Sequence, residues 1–273
     1  MKNLLLTIVI LCAFETSFYA QRLKGSDTIL PLAQKEAAVF NKETKDSVTV
    51  SGGGSVVGIA ALINGTTDIA TSSREMNFEE KVECVNSGKN IIQKIIAYDA
   101  LAIIVNPSNK LPRLNRTQIE GIFTGKICNW KRFGGEDMKI TVYSREKSSG
   151  THDFFKEYVL LNKKYSSSII EMLTNDAIVQ SVSENEGAIG YVGLAYLNNS
   201  VKAIDVAFEE KKYVEPSMWT AWDRSYPITR PLYFFYDKTT EQKYSPFINF
   251  VLSNKGQKIV EDIGYVPVNL NCK

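Results

Sequence analysis

Blocks of apolar and polar residues along this chain switch between two spacings, and the switches predict its elements. Residues 46–50 form a β-branched run, glycines follow at 52–54, and Val56, Ile59, Ala60 and Ile63 recur at helical spacing until Asn64-Gly65. That order reads as strand, loop, helix. Upstream, Leu32, Ala33, Ala37 and Phe40 make an apolar stripe interrupted by Glu36, with Pro31 in the first turn. This predicts an amphipathic helix after the polar bend of residues 25–28.

The alternation continues downstream. Residues 66–76 predict a short strand and a polar loop; Asn77 and Glu80 have the spacing of a capping box, and Gly88 supplies a stop. Residues 91–107 are β-rich and long enough for two strands, 117–130 predict a helix broken at Gly125, and 139–160 repeat the strand, polar loop and helix. Residues 187–197 read as a buried strand ending in a turn. Strands alternating with helices predict an α/β fold with mainly parallel sheets.

No sequence repeat and no low-complexity linker divides the chain. Two α/β lobes without a flexible connector require strands that cross between them, with a ligand in the cleft. The candidate crossings are 97–106 and 226–236, both apolar and free of glycine.

Length adds room for this reading, because 273 residues suffice for two lobes of roughly 100 to 150 residues, each with its own core. The first 20 residues carry a basic Lys2, an apolar stretch from Leu4 to Phe14 and a small Ala20, the pattern of a secretory signal peptide. The chain is therefore expected to be exported to the periplasm. Cys12 raises the alternative of a lipid anchor, which the bulky Leu11 before it disfavours. Removing residues 1–20 takes Lys2 and Glu15 and leaves the net charge at +2, a balance that gives no sign of nucleic-acid binding. Cys84, Cys128 and Cys272 allow one internal disulfide at most, and their spacing fits no metal motif.

Enzyme chemistry finds little support. The glycine loop lacks the Rossmann spacing, since Val57 stands where glycine is needed, and Gly125-Lys126 is followed by Ile127 rather than Ser or Thr. No nucleotide or other cofactor is indicated. There is no nucleophile elbow, and the one histidine, His152, is expected to face solvent. Glu79-Glu80 and Glu209-Glu210 read as solvated faces.

What recurs is one device. Ser26 with Thr28, Ser51 with Ser55, Ser73 beside Arg74, and Arg145 with Ser149 and Thr151 each place hydroxyls or a guanidinium at a bend before a helix. Unpaired N–H groups at helix starts, joined by such donors, suit a small oxyanion. Each hydroxyl could instead cap its own helix.

In this order, the segments 25–32, 51–76, 144–155 and 187–197 resemble the phosphate-binding protein of the high-affinity phosphate ABC importer, and Arg-x-x-x-Ser-Gly-Thr at 145–151 is the most specific part. The resemblance implies a type II periplasmic-binding-protein fold, with two α/β lobes joined by two crossing strands. Lobe I would comprise 21–100 and 232–273, and lobe II 101–231. It implies capture of inorganic phosphate, delivery to a membrane permease and its ATPase, action as a monomer and no catalysis. Carried over by residue, Ser26, Thr28, Ser51, Ser73, Arg74, Arg145, Ser149, Gly150 and Thr151 form the phosphate site. Many members place an aspartate where this chain has Ser73, followed by Arg74, so sulfate should compete more readily here. The rival readings are a binding protein for sulfate, molybdate or tungstate, a secreted phosphatase, and a phosphate sensor.

Overall fold

The structure is a computed structural model that describes residues 20–44 and 46–268. The signal-peptide reading, apart from Ala20, lies outside those residues, as do Cys12 and Cys272.

The first lobe begins with β1 (Ala20–Gly25), α1 (Leu30–Glu43), β2 (Ser47–Ser51), α2 (Ser55–Ile63), β3 (Ile69–Ser72) and α3 (Phe78–Asn86). β1 lies between β2 and β3 and is parallel to both. α3 starts where the spacing predicts: Asn77 Oδ1 accepts from the Glu80 N–H at 2.8 Å, and Glu80 Oε2 accepts from the Asn77 N–H at 2.9 Å. Two donors left over by the first helical turn are thus satisfied reciprocally.

β4 (Ile91–Val105) leaves this lobe and enters the second. There follow β5 (Arg113–Asn115), α4 (Arg116–Phe123), β6 (Thr141–Arg145), α5 (Gly150–Tyr158), β7 (Ile170–Met172), α6 (Asn175–Glu184), β8 (Ala188–Gly193), β9 (Lys202–Ala203), β10 (Asp205–Ala207) and α7 (Met218–Trp222). β11 (Thr229–Asp237) returns the chain to the first lobe, which α8 (Glu241–Leu252) and α9 (Asn254–Ile263) complete. The strand order is β2-β1-β3-β11-β4-β8-β6-β7, with β9 also on β4 and β5 paired with β10.

The segment 91–107, long enough for two strands, forms one, because β4 changes partner without a break. Ile91 to Ala100 pair with β11, and Leu101 to Val105 pair with β8. Nothing between Ala100 and Leu101 stops a strand, and the neighbouring sheet takes over the free edge.

Burial follows the two-residue period of a strand covered on both faces. Leu101, Ile103 and Val105 pack with Phe123, Phe155 and Tyr191, while Ala102 and Ile104 pack on the opposite face with Ile178 and Val182 of α6. In the first lobe, Leu232, Phe234 and Tyr236 join Leu32, Phe40 and Phe247, whereas Tyr233 and Phe235 join Ile59 and Leu62 of α2. Each Leu, Ile, Val or Phe among them contributes about 1.5–3 kcal/mol by leaving water. Two cores on either side of a shared pair of strands make two α/β lobes, the architecture of a type II periplasmic-binding protein.

Candidate anion-binding site

Three helix starts converge where the lobes meet. The turn before α1 is closed by the backbone: the Ser26 carbonyl accepts from the N–H groups of Ile29 and Leu30, both at 3.1 Å. Among the described residues, no side chain caps the start of α1 or α2. α5 is capped by Ser149, whose Oγ accepts from the Thr151 N–H at 3.2 Å. A hydroxyl that accepts in this way keeps its own hydrogen to donate elsewhere.

Hydroxyls from both lobes meet at these starts. Thr28 Oγ1 of the first lobe lies 2.9 Å from Thr151 Oγ1 of the second, both buried. Ser55 Oγ, at the start of α2, accepts from the Ser73 N–H at 3.1 Å and stands 3.4 Å from Ser73 Oγ. Gly150 lies against this pair, so closely that a Cβ on it would stand 2.3 Å from Ser55 Oγ and 2.9 Å from Ser73 Oγ. Gly54, with φ +93°, is pressed likewise on the Ser148 carbonyl of the other lobe. Only glycine fits either position, one for close approach and the other also for its backbone angle.

Arg145 ends β6 and is fully buried. Its Nε donates to the Met172 carbonyl at 3.3 Å, and Nη2 donates to the Leu173 carbonyl at 2.6 Å and to Asp27 Oδ2 of the other lobe at 2.9 Å. Nη1 is buried with no hydrogen-bond partner among the described residues. A guanidinium nitrogen taken out of water without an acceptor is costly, and an anion oxygen would remove that cost. Asp27 is committed on both oxygens, since Oδ1 accepts from the Gly53 N–H at 2.9 Å. Its carbonyl accepts from the Tyr196 hydroxyl at 2.8 Å, and burial pushes that phenol up to about 12. A hydroxyl network supports the clamp from behind: Ser144 Oγ is 2.6 Å from the Tyr191 hydroxyl, which is 3.1 Å from that of Tyr165.

Of the residues singled out in the sequence, Thr28, Ser73, Gly150 and Thr151 come together, with Ser149 and Arg145 at the same helix start and Ser26 buried in the turn before α1. Ser51 does not join them. It is exposed at the end of β2 and donates to the Leu23 carbonyl at 3.3 Å, while Ser55, across the glycines, takes the inward place. Arg74 stands at the rim with its fork occupied: Nη1 and Nη2 donate to the two Glu80 oxygens, each at 2.7 Å, and Nε donates to Asp153 Oδ2 at 3.0 Å across the cleft. Burial raises the Asp153 carboxyl, but the His152 hydrogen bond and the Arg74 charge hold it below its usual range. His152 is buried rather than solvent-facing, stacked on Tyr165 with centroids 4.6 Å apart.

The sequence reading passed over Arg230. Its guanidinium is buried beside the Thr28 hydroxyl and paired with Asp99. The available signal was one arginine and one aspartate, each isolated in an apolar stretch assigned to a crossing strand. Among the described residues, Cys84 and Cys128 are unpaired, and no group of three or more His, Cys, Asp or Glu side chains is placed to hold a metal.

The sequence profile described as the PBP superfamily domain matches residues 20–255. The phosphate-binding protein PstS of Staphylococcus saprophyticus is 35% identical over 89% of this chain and 79% of its own, and that of Borreliella burgdorferi is 32% identical over 89% and 88%. Among solved structures, a phosphate ABC transporter substrate-binding protein with bound phosphate from Clostridium perfringens superposes with a TM-score of 0.83 at 33% identity, covering 92% of this chain and 100% of its own. An ABC-type phosphate transport receptor from Vibrio cholerae gives 0.75 at 30% identity, over 90% and 99%. Matched along most of its length at these identities, the chain belongs to the PBP superfamily and, within it, to the PstS family.

Proposed function

We propose that this chain captures inorganic phosphate between its two lobes and delivers it to the permease and ATPase of an ABC importer, acting as an exported monomer without catalysis of its own. One observation carries the reading: the fully buried Nη1 of Arg145, without a partner among the described residues, at a convergence of hydroxyls and helix starts from both lobes. A dianion taken out of water needs nearly every lone pair met, and fixed neutral donors around one guanidinium meet them. The proposed ligands are Thr28, Ser55, Ser73, Arg145, Ser149, Thr151 and the backbone of Gly150. PstS relatives, one a neighbouring structure with phosphate bound, support phosphate as the anion.

Ser73 brings a hydroxyl and no charge to the site, and Asp27 has both oxygens engaged. We therefore expect sulfate to compete measurably. Calorimetric titration with phosphate, arsenate and sulfate tests this, beside a turnover assay on a chromogenic phosphate ester. Binding of one phosphate per chain, competition by sulfate and no turnover support the reading. Absence of phosphate binding, or steady ester hydrolysis, overturns it.

A further inference from the structure

Arg230 of β11 and Asp99 of β4 are cross-strand partners at the point where β4 passes from one lobe to the other. Both are buried to within 1% of their surface. Arg230 Nη2 and Nε donate to Asp99 Oδ2 at 2.9 and 3.3 Å, and Asp99 Oδ1 accepts from the Leu194 N–H at 3.2 Å. The guanidinium is not exhausted by this pair. Nη1 donates to the Ser73 carbonyl at 3.3 Å, Nη2 reaches Thr28 Oγ1 at 3.4 Å, and the guanidinium carbon lies over the Phe154 ring, 5.5 Å from the ring centroid.

A guanidinium offers hydrogens and cannot accept one. In its contact with Arg230 the Thr28 oxygen is therefore the acceptor, and the Thr28 hydrogen points elsewhere. The neighbour in reach is Thr151 Oγ1 at 2.9 Å. If Thr28 donates there, the Thr151 hydrogen is in turn displaced outward. We propose that Arg230 is a positioning residue that fixes the direction of this hydroxyl relay, so that Thr28 donates to Thr151 and Thr151 turns its own hydrogen to the bound anion, favouring an oxygen that carries no proton. Asp99 holds the guanidinium in place and cancels its charge, so the pair supplies direction rather than net attraction. The inference rests on the cleft being the phosphate site and adds which protonation state that site accepts.

The direction has a measurable consequence. As pH falls through the second ionisation of phosphate, the monoanion replaces the dianion and a second oxygen gains a proton. The Thr151 hydrogen, already aimed at the anion, opposes a proton on the oxygen it meets. The parent should therefore lose affinity steeply over that range.

Inorganic phosphate would be titrated into the parent, Arg230→Lys, the charge-free double variant Asp99→Asn with Arg230→Gln, Thr28→Val, and the double variant combined with Thr28→Val. The titrations would span both sides of that ionisation, with thermal melts to confirm folding. Lysine keeps the charge opposite Asp99 but has one nitrogen in place of a fork, so it cannot hold Asp99 and Thr28 together. We expect the double variant to bind the dianion about tenfold more weakly and with a shallower pH profile. Arg230→Lys should show the same flattening with a smaller loss, and it decides the matter if the double variant does not fold. Acting through Thr28, the double variant should add little loss on top of Thr28→Val. A parental affinity and pH profile in both Arg230 variants, or full additivity with Thr28→Val, overturns the inference. A parent that binds no phosphate overturns the functional reading beneath it.

Discussion

Arg145, at the end of β6, and Arg74, just past β3, both stand at the cleft, and each reaches across it to a carboxylate: Arg145 to Asp27 and Arg74 to Asp153. They differ in what remains. Arg74 has two carboxylates and all three nitrogens engaged, Nη1 also donating to the Glu75 carbonyl at 2.7 Å. Arg145 has one carboxylate, two backbone carbonyls and a buried nitrogen with no partner among the described residues. An ion pair fully met by its own protein holds the structure together, whereas one left a donor short can hold something else. Net charge near the cleft is therefore a poor guide to where an anion goes; unmet donors are a better one.

The contrast predicts unequal effects. The largest belongs to Arg145→Ala, which removes the guanidinium proposed to meet the buried dianion. It should cost roughly 3–5 kcal/mol of phosphate binding, a factor of hundreds or more in calorimetry. Retention within about threefold of the parent would remove Arg145 from the site.

Gly150→Ala tests the close approach rather than the charge. In the closed arrangement the new methyl would stand 2.3 Å from Ser55 Oγ, a steric conflict that exists only while the lobes meet. We predict a loss of about 1–3 kcal/mol in phosphate binding with little change in the melting temperature of the unliganded protein. Small-angle scattering should show the parent compacting on phosphate more completely than the variant. Parental affinity and compaction in the variant would mean that Gly150 does not set the closed distance.

Arg74→Ala should do much less. Its Asp153 partner is about a third exposed, and partly solvated pairs of this kind are worth about 1 kcal/mol or less. Phosphate affinity is expected to fall no more than about fivefold. A loss as large as that of Arg145→Ala would erase the distinction between the two arginines.

Glu36 of α1 sharpens the comparison from another side. Both its oxygens are buried without a partner among the described residues, and it shares the buried face of its helix with Leu32, Ala33, Ala37 and Phe40. Burial raises its carboxyl well above the usual value. In the unfolded chain it ionises near pH ~4.3. As pH rises past that point the unfolded state gives up a proton that the folded state keeps, so this residue lowers stability progressively until its folded pKa is reached. Glu36→Gln should raise the melting temperature at pH 8 and leave it nearly unchanged at pH 4, without altering phosphate affinity. Equal shifts at both pH values would show that the carboxyl is not held protonated.

Much of this was legible in the sequence because local rules and the fold agree. The α1 stripe, the Asn77 and Glu80 capping box and the loop from Arg145 to Thr151 each behave as their spacing indicates. Both crossing strands overlap the segments singled out for them. Ser51 and Ser55 show what spacing cannot resolve. Both flank the same glycines, and which one faces inward depends on where β2 ends and α2 begins, a matter of one or two residues that periodicity does not fix. The partners of Arg74 were hidden for a different reason: Glu80 and Asp153 come from a separate helix and from the other lobe. Arg230 was hidden by its strand, although a buried charge in a crossing strand demands a counter-charge, and Asp99 stood in the other crossing.

The most direct test of the account is a crystal structure of this chain with inorganic phosphate. It should show one anion between the lobes, with an oxygen within hydrogen-bonding distance of Arg145 Nη1, other oxygens met by Thr28, Ser55 and the start of α5, and Arg74 still bound to Glu80 and Asp153. An anion seated on Arg74, or one bound outside the cleft with Arg145 Nη1 left unmet, would contradict it.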